Sequence, residues 1–101
     1  MTVLMDLQPQ TAERLQKVLQ QYQSHEFFAR RVIEAEMLQL KKAIKEIQLD
    51  MRAFEQKYTL STATFYQAFT QGDIDDEEDY LLWAGIYEML LSNQQRLREL
   101  I

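Results

Sequence analysis

Few residues in this chain could carry chemistry, and most of them are carboxylates. The single histidine, His25, stands beside Ser24 in a polar stretch, and there is no cysteine. Without cysteine, disulfides, thiolate nucleophiles and thiolate metal sites are excluded together. A hydroxyl next to an imidazole makes no nucleophile–base pair unless a third group orients the ring. No such partner is evident, so Ser24 and His25 read as a solvated turn. The run Asp73-Ile74-Asp75-Asp76-Glu77-Glu78-Asp79 alternates carboxylates as a calcium loop does. It then breaks the rule twice, with Glu78 where the loop needs Gly and Ala84 where it needs a bidentate Glu. The Glu-x-x-His pairs of carboxylate-bridged metal bundles are absent as well. The expectation is a non-enzyme with no cofactor and no metal.

The remaining chemistry is recognition. Phe65, Tyr66, Phe69, Tyr80, Trp83 and Tyr87 fall close to Asp75, Asp76 and Asp79. Trp and Tyr dominate interface hot spots, and an acidic rim around an aromatic centre suits the covering of a basic, RNA-handling surface. The plainer alternative is that these six aromatics are ordinary core. Charge placement favours a basic partner. Residues 1–57 hold nine Lys/Arg against eight Asp/Glu, whereas residues 58–101 hold two against eight. The net charge of −5 thus belongs to the C-terminal part.

These residues must be positioned by helices. Ile33, Met37, Leu40, Ile44, Ile47, Met51, Phe54 and Tyr58 follow one another at alternating four- and three-residue steps, a heptad seam unbroken by Gly or Pro. A helix from His25 to Tyr58 would be roughly 50 Å long, against about 26 Å for a compact domain of this size. The seam must therefore lie against something: either the segment Tyr80 to Ile101 folding back, or a second chain. Tyr80, Trp83, Tyr87, Leu90, Leu97 and Ile101 repeat the heptad phase, and Leu82, Ile86 and Met89 widen the stripe enough to meet more than one surface. Ser61 can cap a short helix carrying Phe65, Tyr66 and Phe69, and Gly72 can end it in a left-handed conformation. At the N-terminus, Thr2 to Gln8 alternate as a short strand would, and Pro9 suits the first position of a helix with Ala12, Leu15, Val18, Leu19 and Tyr22 on its apolar face. Ser24 is an N-cap candidate for the long helix, although one continuous helix from Pro9 to Tyr58 is the alternative. No stretch is long and apolar enough for a membrane span and no leader pattern is evident, which implies a cytoplasmic protein.

The segment Leu7-Gln8-Pro9-Gln10-Thr11-Ala12-Glu13-Arg14-Leu15, followed by His25-Glu26-Phe27-Phe28-Ala29-Arg30-Arg31-Val32-Ile33, resembles the ribbon-helix-helix module. The run Lys57-Tyr58, Ser61, Phe65-Tyr66, Phe69, Gly72, Asp75-Asp76, Asp79-Tyr80 and Trp83-Ala84-Gly85-Ile86-Tyr87 is similar to the tails of antitoxins from bacterial and archaeal toxin–antitoxin modules. The resemblance implies a mainly helical fold: an N-terminal strand, two helices of which the second continues as an arm, a short helix and a C-terminal helix. It implies a dimerising module over residues 1–33, an arm over 34–58 and a toxin-binding region over 59–101. The implied partners are a second copy, a basic toxin of the small-ribonuclease class, and operator DNA met by Thr2, Leu4 and Asp6 on the ribbon, with Ser24 and His25 near phosphate. Asp6 departs from that pattern, since its carboxylate repels phosphates. The other reading is a coiled-coil adaptor that binds neither DNA nor toxin.

Overall fold

The computed structural model describes residues 6–101. Four helices follow in order: α1 Pro9–Leu19, α2 His25–Tyr58, α3 Thr62–Thr70 and α4 Glu78–Leu100. Among the described residues there is no strand, so the fold is all-helical and the expected strand-plus-helices ribbon is corrected. Asp6, Leu7 and Gln8 form no regular structure. Gln8 is extended (φ −63°, ψ 148°) because the residue before a proline is pushed out of the helical region. Extended backbone becomes a strand only when a second strand pairs with it, and no other segment of the chain carries the two-residue period. Thr2 and Leu4 lie outside the described residues.

The chain forms two compact units, Met1–Ala35 and Glu36–Ile101. In the first, α1 and α2 are separate helices. The amides of Gln21 and Tyr22 turn back to the carbonyls of Val18 and Leu19, and the Ser24 hydroxyl accepts the Phe27 N–H at 3.0 Å. That N-cap opens α2 without help from a glycine. Tyr22 packs edge-on against Phe28 at 5.3 Å, yet none of residues 6–35 is fully buried.

In the second unit α4 runs antiparallel to α2. Tyr58 meets Tyr80, Phe54 meets Trp83, and Glu36 near the other end bridges to Arg96 at 3.2 Å. This covers most of the seam from within the chain: Leu40 and Ile47 are buried, and Met37, Ile44, Met51, Phe54 and Tyr58 are half-buried. Ile33 alone stays 44% exposed, in the first unit. The expected arm, from Glu36 onward, and the C-terminal region therefore fall within one unit. Among the described residues no helix is long and apolar enough to cross a membrane.

Two tight helix ends reverse the chain. Gly72, at φ +79°, ends α3, with Asp73 N–H bonded to Ala68 O and Gly72 N–H to Phe69 O. α2 ends in the same way, with Leu60 N–H bonded to Glu55 O, but the left-handed residue is Thr59 at φ +51°. A β-branched residue is strained there.

Candidate partner-binding surface

The six aromatics expected to form an anchor patch divide sharply. Phe65 and Trp83 are completely buried. Their rings stack at 3.9 Å and 3°, and Phe54 lies on Trp83 at 5.5 Å and 13°. Tyr80 leans on both Tyr58 and Phe65. Trp83 and Phe65 are thus the core that joins α2, α3 and α4, and neither offers a face to a partner. Tyr66, Phe69, Tyr80 and Tyr87 are half-buried around them.

Polar groups lock this core. The Trp83 indole N–H donates to the Thr62 hydroxyl at 3.0 Å, and that hydroxyl donates to the Glu55 carboxylate at 2.9 Å. The same carboxylate oxygen accepts the Thr62 backbone N–H at 2.9 Å, so Glu55 of α2 satisfies the start of α3 where the helix dipole favours negative charge. Ser61 completes the cap by accepting the Thr64 N–H. No buried side-chain nitrogen or oxygen among the described residues lacks a partner. This chain of bonds is invisible in sequence spacing, because Thr62 and Trp83 are 21 residues apart.

The acidic run divides as well. Asp79 turns inward, bridging to Lys57 at 2.6 Å and accepting the Tyr58 hydroxyl. The Lys57 ammonium, then the Tyr58 hydroxyl, hold its carboxyl below the usual carboxylate value, and Asp79 in turn raises Lys57 and Tyr58 above theirs. Asp79 is therefore a clasp between α2 and α4. Tyr66 donates to Glu88 at 2.9 Å, which pushes the phenol up and ties α3 to α4. Asp75 and Asp76, with Asp73, Glu77 and Glu78, stay exposed on the turn that opens α4.

Of the apolar residues that remain outside, Leu82 and Met89 belong to the broad stripe expected of α4, whereas Leu81 was not singled out by its spacing. On α4, Leu81, Leu82 and Met89 are 51%, 53% and 56% exposed. Leu82 and Ile86 border a shallow cleft with Asp50, Ala53 and Phe54 of α2. In the first unit, Leu15, Leu19, His25, Phe28, Ala29, Val32 and Ile33 line an open apolar groove of about 410 Å³. His25 sits at the lip of that groove, and the Ser24 hydroxyl is engaged in capping α2. Glu26 occupies the first turn of α2, where a phosphate would have to approach, and pairs with Arg30 at 2.9 Å. Comparison with known protein families, curated proteins and solved structures finds no match.

Proposed function

We propose that this chain is a non-catalytic binding protein that neutralises a basic toxin, of the small-ribonuclease class, by covering it with the unit Glu36–Ile101. One observation carries the reading. Behind a core that is already satisfied, that unit still exposes five carboxylates, from Asp73 to Glu78, immediately before the exposed leucines of α4. An apolar centre with a charged rim of one sign selects a partner of the opposite sign and speeds encounter with it. The tail resemblance points the same way. Covering of the seam by α4 removes the chief argument for a coiled-coil adaptor. With no strand among the described residues to enter a DNA groove, the proposal is confined to protein partners. The apolar groove of the first unit is assigned to a second copy of the chain.

The proposal expects a small basic protein encoded beside this chain, and co-expression with it is the test; the absence of any such neighbouring frame would count against the proposal and for the adaptor. This chain should relieve the growth arrest which that protein causes. An Asp75→Lys/Asp76→Lys variant should fold normally and fail to relieve it. Persistent arrest beside the soluble wild-type chain would refute the assignment.

A further inference from the structure

Gly85 lies in the middle of α4, and its own chain gives it no reason to be glycine. Glycine is the poorest helix former after proline. It is usually retained where φ is positive or where a neighbour approaches the backbone too closely for a side chain. Gly72, by contrast, is the glycine with positive φ. A Cβ built on Gly85 would meet nothing within 4 Å, so no contact inside the molecule requires its absence. The residues one turn to either side on that exposed face are Leu81 and Met89, with Leu82 beside them, all more than half exposed. Trp83, Ala84 and Leu90 point the other way, into the core. The result is an apolar ridge with a bare gap in its middle.

We infer that this gap is a docking notch, in which a bulky apolar side chain of a basic protein partner seats against the α4 backbone at Gly85. The inference rests on the neutralising reading above and names the contact that reading lacks. Charge selects the occupant. Asp73, Asp75, Asp76, Glu77 and Glu78 stand exposed directly before the ridge. The nearby Lys57 is already committed to Asp79. A second copy would bring the same acidic surface and be repelled, whereas a basic surface is attracted.

Calorimetric titration of the full chain with the small basic protein that the neutralising reading expects to be encoded beside it separates the possibilities, and the lack of any such protein counts as the lack of binding. Gly85→Ala should melt a few degrees higher than wild type, because alanine favours the helix and meets no clash in the free chain. It should nevertheless bind about tenfold more weakly, because the added methyl overpacks the notch. Gly85→Leu should bind more weakly still while keeping its helical circular dichroism. If wild type binds and Gly85→Ala binds equally well, the notch is overturned and the neutralising role stands. If wild type does not bind, the neutralising role fails and the notch with it. If instead Gly85→Leu turns a sedimenting dimer into a monomer, the occupant is a second copy and the inference is wrong.

Discussion

Thr59 shows how a single backbone angle costs stability in this protein. At φ +51° its Cβ crowds the neighbouring carbonyl, a penalty of about 1 kcal/mol that glycine avoids. Thr59 is exposed, so its side chain contributes little packing in return. Thr59→Gly should therefore raise stability by about 1 kcal/mol, seen as a melting temperature several degrees higher; an unchanged or lower midpoint would contradict the strain. Trp83 lies at the opposite extreme. Trp83→Ala removes the ring on which Phe54 and Phe65 stack and leaves the Thr62 hydroxyl without its indole donor. A cost of about 3–5 kcal/mol is expected from urea titration, a large share of the stability of any small domain. Trp83→Phe keeps a ring in the stack and should cost less. Heptad spacing marks Trp83 as a seam residue, but the same spacing serves an intrachain and an interchain seam equally. Only the return of α4 along α2 decides that its indole faces inward.

At the scale of elements, legibility followed local chemistry. Ser24, Ser61 and Gly72 announce helix ends because a cap needs only a hydroxyl or a glycine a few residues away. The end of α2 at Tyr58 is legible because the seam stops there, but the left-handed turn at Thr59 that closes it is not, because the residue is not glycine. The described end of the expected N-terminal strand, Asp6 to Gln8, is no strand: the apolar/polar alternation before Pro9 imitates one, while pairing, the property that makes one, is not local. The clasp on Asp79 was hidden for the same reason: its partners, Lys57 and Tyr58, are a helix and two turns away in sequence. That clasp makes stability depend on pH at both extremes. The Asp79 carboxyl is held below its ordinary value of 3.8, so its contribution is complete above that pH and is lost as pH falls through the lowered value. Lys57 and Tyr58 are raised above 10.5 and 10.0, so their contributions are complete below those values and are lost as pH climbs through the raised ones. Asp79→Asn should flatten both limbs of a plot of urea midpoint against pH. Limbs as steep as those of wild type would show that the clasp contributes nothing.

For the molecule as a whole, the two units differ in what they lack. Glu36–Ile101 has a buried aromatic core and a surplus of acid, with seven Lys/Arg against twelve Asp/Glu. Met1–Ala35 has no buried residue among those described, but its charge balances: Arg14, Lys17, Arg30 and Arg31 against Asp6, Glu13, Glu26 and Glu34. Two helices in so short a segment do not make a stable core alone, and α1 with its 11 residues is too short to persist without packing. A neutral, apolar and incomplete surface is suited to its own copy, since two such surfaces meet without repulsion and cover each other's Val32 and Ile33, which are 52% and 44% exposed. Self-association through the groove should then be nearly indifferent to salt, whereas capture of a basic partner by the acidic unit should weaken as salt screens it. Sedimentation equilibrium at low and high ionic strength checks the first claim. Wild type should be dimeric in both, and Val32→Asp should be monomeric in both while the melting of the aromatic core, followed by Trp83 fluorescence, is unchanged. A dimer that survives Val32→Asp, or one that dissociates on adding salt, would move the contact away from the α1–α2 groove.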